Sequence, residues 1–584
     1  MPCVLSVDEY PALSALVEQL DNYLEKKYPD FFGARALHPI LPVKRSKVIH
    51  DNLWGTNRYS WRELVLIDSP IIQRLRDIHQ VGLAFNVYPS AHHARFEPCL
   101  GVVTLASRIF DAVLDRNRGD LDNIAEVIGP GQPSATAFAQ LRQELRLAAL
   151  LHDTGHSLFS HTSERVYERL SVVKAASAEL KKIAGKQKGA GEVISFCLAQ
   201  TKSVAGLLEG SKRQLIGDTC SDDYRGEIDQ LNIALLVIGR GRHPYLQFLG
   251  DIISSGFDAD KLDYLLRDAV AAGLPLRYDL DRYLYAVRLE KGILVDGEGE
   301  LERLYKSVAA PPLERQAARP STRFPYYEAY RLRLPKAAMN TIEQIIICKM
   351  MLFSYLYHHP KVRAAEGTLE RVLKRLVSLW RTAGETDGQI LERFLGMTDS
   401  ELKGPDFSQS DDPQVRDYSY RLVNRLIPRE VYGLAGDVAS HAERPLLTDF
   451  LTDLQDRVTS PQLVSTLENA IGEELVKLDP KLGPGPEDAL STAGVWVDVP
   501  RPPEFEDVDE VVIGGTDDLS GVPLMQLFPI GQWTQAYTHF RYCVRVFSFS
   551  EYWELTKLAA KAAMQRVIRI HGDSFYEKVI RTRG

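Results

Sequence analysis

Cysteine is scarce. The six present (Cys3, Cys99, Cys197, Cys220, Cys348, Cys543) are scattered among 584 residues without CxxC spacing, which excludes a disulfide framework or a zinc knuckle and fits a reducing compartment. A surplus of basic charge is also missing. Lys and Arg total 70 against 78 Asp and Glu, for a net charge of −8, so no global footprint for nucleic acid exists. No apolar run reaches the ~18 residues of a membrane span, and Met1 to Leu20 carries Asp8 and Glu18 with no basic leader. A cytoplasmic protein without a membrane partner is expected. Internal repeats are absent, and the alternation of β-strands is rare.

Helical spacing is abundant. Leu13, Leu16, Leu20 and Leu24 predict a first helix within a lead-in, residues 1–46. Between Trp61 and Tyr357 the pattern stays helical, with Ile71, Leu75 and Ile78 on one face and Leu147, Leu150 and Leu151 on another. Tyr283 to Tyr285 and Gly292 to Val295, around Gly297 and Gly299, suggest a small hairpin. Helices return over residues 364–480. Residues 481–525 are Pro- and Gly-rich and acidic (Glu504, Glu506, Asp507), which predicts a linker or loop. Residues 526–584 read as a strand over Tyr542 to Phe549 and a helix from Tyr552 to about Ile570. The fold class expected is mainly α, a helical core with a small β-hairpin and a mixed α/β C-terminal lobe.

Six of the fourteen histidines fall between residues 79 and 161, and three of them stand in LLHDTGHSLFSH. A His followed by Asp at the end of an apolar helix offers an imidazole nitrogen beside a carboxylate, a donor pair suited to zinc, iron, manganese, cobalt or magnesium. His156 follows His152 by four residues, and Gly155 permits a turn there. A second segment, DADKLDYLLRD, sets Asp260, Lys261, Tyr264 and Asp268 along one helical stripe. Metal and phosphate chemistry can share such a face. Taken singly, each segment also reads as a core histidine or a solvated ion-paired face.

Together with IDSPIIQRLRDIHQVGLAFNVYPSAHHARFEPCLGV, these motifs make residues 47–363 resemble the HD-domain deoxynucleotide triphosphohydrolases, a family of bacterial dGTPases and a vertebrate enzyme that joins a sterile alpha motif to an HD domain. The resemblance implies a divalent metal, held here by His152, Asp153 and Asp260, and cleavage of a dNTP to deoxynucleoside and triphosphate. It implies catalytic roles for His161, the orienting Glu164, and His156 near the phosphates. Arg95, Lys261, Tyr264 and Lys349 match groups that hold the triphosphate; Asp268, Tyr357 and Gln80 match groups around the sugar. Asp68, Gln73 and Arg76 match positions that bind an activating nucleotide between subunits, which implies a homo-oligomer, dimer or tetramer. The same residues also fit an ordinary helix with Asp68 as its cap.

The departures are specific. The family's first metal ligand, the histidine of RFEHSLG, is Pro98 in RFEPCLG. Proline brings no donor, though at the first turn of a helix its missing N–H breaks no bond. Water, a phosphate oxygen, or His92 or His93 from the preceding loop are the candidates to fill the place. Gly191 stands where the vertebrate enzyme has another histidine, and His50 where it has an asparagine in the activator region. Two further readings follow: a nucleotide sensor or regulatory subunit weakened at Pro98, or a hydrolase of another phosphoester.

Overall fold

In the computed structural model the described residues are 9–33, 43–117, 121–128, 133–209, 215–216, 224–295, 326–434, 450, 453–454, 460–500, 512–514, 522–523, 533 and 544–582. The fold is mainly α with small sheets. Pro11 opens the first helix, Pro11–Lys27, which buries Leu13, Leu16, Leu20 and Leu24 as their spacing predicts.

A hairpin that the sequence did not announce comes next. Ser46–Asp51 pairs antiparallel with Gly55–Ser60, and Asp51 closes the turn by accepting the Leu53 and Trp54 amides at 2.7 and 2.9 Å. Ser60 then caps Trp61–Ile67 in a capping box with Glu63. Buried Glu63 also receives Arg146 at 2.5 and 2.9 Å, which ties this helix to Ser134–Leu151. Phe96–Arg116 lies in the middle, packed on Ser134–Leu151 and on Ala259–Ala272. Those three helices position the candidate site.

Three expectations need correction. The hairpin expected over Tyr283 to Val295 is a long-range pair, because Arg288–Val295 runs antiparallel to Tyr326–Pro335. Tyr283 and Tyr285 instead belong to a helix, Leu280–Ala286, capped by Asp279; Gly297 and Gly299 lie outside the described residues. The boundary at 363/364 falls inside the helix Pro360–Thr382, whose Val362, Ala365, Leu369, Val372 and Leu376 stay buried across it. The first apolar core consequently continues to Ile427. Residues 481–500, expected as linker, are folded: Pro486–Ala493 is a helix and Trp496–Asp498 a strand. Leu482, Leu490, Val495 and Val497 are buried there, so proline and glycine mark element ends and not a loop. The acidic run Glu504 to Glu510 lies outside the described residues.

The C-terminal lobe is mixed α/β, as expected. Val544–Ser548 is the central strand, antiparallel to both Arg429–Leu434 and Trp496–Asp498. Ser460–Leu478 and Trp553–Thr582 pack together beside that sheet around Leu467, Ile471, Val546 and Ala563. Phe547 and Phe549 join the first core and dock the lobe. Cys99, Cys197 and Cys348 are buried free thiols. Among the described residues, no helix is long and apolar enough to cross a membrane.

Candidate functional site

Ser134–Leu151 ends at His152, whose Nδ1 lies 2.7 Å from the Ala149 carbonyl. Donating there leaves Nε2 to face an oxygen of Asp153 at 3.6 Å and one of Asp260 at 3.5 Å. This buried Nε2 has no hydrogen-bond partner. Burial opposes charge on the ring, yet the Asp153 and Asp260 carboxylates prevail and raise its pKa to about 10. The three side chains therefore favour positive charge between them, a proton or a cation. Two donors about 2.1 Å from one ion at ordinary angles stand roughly 3.0–3.5 Å apart, and the His152 distances are close to that. Asp260 arrives on Ala259–Ala272, whose N-cap Asp258 accepts the Lys261 amide at 2.7 Å.

Asp153 is the hub. Arg95 donates to its second oxygen at 2.5 Å, and His156 Nε2 stands 3.4 Å from its first. Burial pushes the Asp153 carboxyl up, but Arg95, then His152 and His156, hold it well below the usual carboxylate range. Arg95 also donates to Ser160 Oγ at 2.7 Å, and Ser160 donates to the His79 carbonyl. Phe159 and Ser160 have φ of 50° and 56°. For non-glycine residues this left-handed backbone costs of order 1–3 kcal/mol each and persists only where surrounding contacts hold it.

That turn delivers His161 to the start of His161–Tyr167. His161 Nδ1 lies 2.8 Å from Glu164, while 69% of the side chain is exposed. The other Glu164 oxygen accepts the Gly191 amide at 2.8 Å. Burial pushes the Glu164 carboxyl up, but His156, His161 and the Gly191 amide together hold it far below its ordinary value. His156 meets His161 edge-on, 4.9 Å between ring centroids, and burial, then Arg95, lowers its pKa. His156, His161 and Glu164 offer donor atoms within 4.8 Å of one another. Gly191 has a steric reason: a Cβ there would lie 2.9–3.1 Å from atoms of the His156 ring.

On another wall, Asp268 is held by His93 Nε2 at 2.7 Å and by the Tyr357 hydroxyl. Gln80 gives its amide to the His93 carbonyl at 3.0 Å. Gln80 Oε1, His93 Nδ1 and Arg95 Nη2 are buried without partners, polar atoms that a ligand can satisfy. Half-buried Tyr264 has its phenol pushed up by burial.

Some expected residues are placed differently. Lys261 Nζ is taken by Asp258 at 2.8 Å and the Ser255 carbonyl at 2.7 Å, so it braces its own helix start. Lys349 is half-buried in the last turn of Met339–Leu352. Neither loop histidine fills the place left by Pro98, since His93 binds Asp268 and His92 lies 3.3 Å from His79. Pro98 occupies the first turn of Phe96–Arg116, as expected. Asp68 is exposed and ends Trp61–Ile67, and it is Ser69 that precedes Pro70–Gln73. Gln73 donates to the Ile67 carbonyl at 2.7 Å, and Arg76 donates to Gln73 at 2.8 Å while covering Phe96. His93 was expected only as a substitute metal ligand and instead holds Asp268; Ser160, inside LLHDTGHSLFSH, and Asp399 were not singled out from the sequence, and Asp399 carried no local signal.

No family model matches the chain. The human deoxynucleoside triphosphate triphosphohydrolase SAMHD1 is 28% identical over 253 residues, 42% of this chain and 37% of that protein. Its Dictyostelium discoideum homologue is 28% identical over 244 residues, 41% of this chain and 39% of that one. The chain resembles the HD-domain deoxynucleotide triphosphohydrolases. An uncharacterised protein of Methanocaldococcus jannaschii is 25% identical over 327 residues, 56% of this chain and 49% of that one. The chain thus spans about half or less of the length of these relatives. A phosphohydrolase crystal structure from Bacteroides thetaiotaomicron shares the fold at a TM-score of 0.52 and 18% identity, covering 86% of this chain and 99% of that one. A hypothetical protein from Aquifex aeolicus gives 0.53 and 19%, with 88% and 99% covered.

Proposed function

We propose that this chain is a metal-dependent phosphohydrolase of nucleotides that cleaves a dNTP into deoxynucleoside and triphosphate. The observation that carries the reading is the unpartnered Nε2 of His152 between the carboxylates of Asp153 and Asp260, beside the His161–Glu164 pair. The donor set, one imidazole nitrogen and two carboxylates, fits a divalent ion, which when bound supplies charge to polarise the α-phosphate or acidify water. Mg²⁺, Mn²⁺, Fe²⁺, Co²⁺ and Zn²⁺ all suit it.

The chain's own residues do the remainder. Ionised Glu164 keeps Nδ1 of His161 protonated, so that Nε2 faces outward to exchange a proton at the scissile P–O bond. Arg95 directs its unpartnered Nη2 at phosphate oxygens, and Lys349 adds charge; Lys261 joins only after leaving Asp258. Asp268, Tyr357 and Gln80 receive the sugar, with Tyr264 beside them. An activating nucleotide at Asp68, Gln73 and Arg76, a homo-oligomer of two or four copies, and a cytoplasmic location belong to the same reading.

One observation favours a second reading. Pro98 leaves the ion a ligand short, which suits a sensor that binds nucleotide and turns it over poorly. Purified protein loaded with each metal should release deoxynucleoside and triphosphate on product chromatography. No turnover of any dNTP, with candidate activating nucleotides present, overturns the enzyme reading; nucleotide binding without turnover establishes the sensor.

A further inference from the structure

The turn that presents His161 is held from far along the chain. Asp399, 320 residues from His79, stands at the start of the short turn Asp399–Lys403, and its side chain is only 6% exposed. One of its oxygens accepts both the His79 amide, at 2.8 Å, and His79 Nδ1. The other accepts the Phe159 amide at 2.5 Å. A single buried carboxylate thus joins two segments: the loop carrying Gln80, His93 and Arg95, and the left-handed Phe159–Ser160 turn before His161. Ser160 closes the circuit, because it donates to the His79 carbonyl and accepts from Arg95.

The strain in the turn gives this contact its meaning. Two successive non-glycine residues at φ near 50° relax toward ordinary backbone unless their amides and side chains are fixed. Relaxation swings the first residue of His161–Tyr167 away from its place beside His156, whose Nε2 faces Asp153. The loop depends less on Asp399, since the Gln80 amide to the His93 carbonyl (3.0 Å) and the Arg95 amide to the Ile78 carbonyl (2.9 Å) brace it independently.

We infer that Asp399 is a positioning residue: from a segment outside the HD motifs it locks the strained Phe159–Ser160 turn and so sets the place of His161 relative to the substrate loop. The inference rests on the hydrolase reading for its kinetic consequence, though not for its structural one.

The test uses Asp399→Ala and Asp399→Asn in the full chain, the latter keeping one acceptor oxygen. For Asp399→Ala, kcat should fall about 100-fold, as for a displacement of about 1 Å at a reacting group, with KM and bound metal within about threefold. Asp399→Asn should recover roughly a tenth of the natural rate. Amide exchange over residues 157–165 should be faster in both variants. Two kinetic results overturn the inference: a kcat within about threefold of the natural protein, or parallel loss of metal, affinity and rate, which marks general unfolding. If the natural protein hydrolyses no nucleotide, the proposed activity fails alone and exchange decides this point: unchanged protection over residues 157–165 overturns it, and accelerated exchange supports it.

Discussion

Glu164 and His161 face each other at 2.8 Å across one turn of helix, and the second Glu164 oxygen is occupied by the Gly191 amide. The Glu164 side chain is only 12% exposed and the imidazole mostly exposed, the polarity expected of an orienting group behind a proton-transferring one. Glu164→Gln preserves shape but removes the charge. It should lower kcat for dNTP hydrolysis about 100-fold and leave bound metal unchanged; steady-state kinetics with metal analysis checks both.

Gly191→Ala forces a methyl against the His156 ring at about 3 Å. Overpacking of this kind costs about 1–3 kcal/mol. The melting temperature should fall modestly, whereas activity should fall by more than the lost stability explains, because His156 and the Gly191 amide both touch Glu164. Thermal denaturation set beside kcat at 20 °C separates the two effects.

Pro98→His restores a donor in the first turn of Phe96–Arg116. Metal retention should improve about tenfold or more in chelator titrations, and Asp260→Asn should weaken it by a similar factor. A gain in turnover for Pro98→His shows that the natural site is limited by its missing ligand. Equal or lower turnover shows that three protein ligands suffice.

His358 contributes to the pH dependence of stability. Burial first, then Arg363, pushes its pKa down to about 3, against about 6.5 in an unfolded chain. Between these values the unfolded chain takes up a proton that the folded chain refuses. The stability tied to neutral His358 is therefore present above about pH 6.5 and lost as the pH falls toward about 3. His358→Gln should flatten the loss of stability between about pH 6.5 and 4, read as urea midpoints at several pH values; an unchanged slope refutes the assignment.

Much of the site was legible because its residues lie in short, dense motifs. HDTGH and DADKLDY carried the carboxylates and imidazoles, and helical spacing carried the elements that present them. Contacts made over long separations were not legible. The Asp399 carboxylate sits in a polar stretch that reads as surface, and only the folded chain places it against Phe159. The Ser46–Ser60 hairpin was missed because its strands are polar, with few buried residues to set a two-residue period. Helix 360–382 hid a false boundary, since motif similarity ends near 363 while its buried stripe continues.

That unbroken helix decides how short a folded fragment can be. Ending the polypeptide at 363 would discard the carboxylate that holds the Phe159–Ser160 turn and remove Leu369 and Leu373, laying bare their partners in the first core. A shortened chain that keeps this core must reach at least Ile427, so the segment after the motifs belongs to the frame of the candidate site.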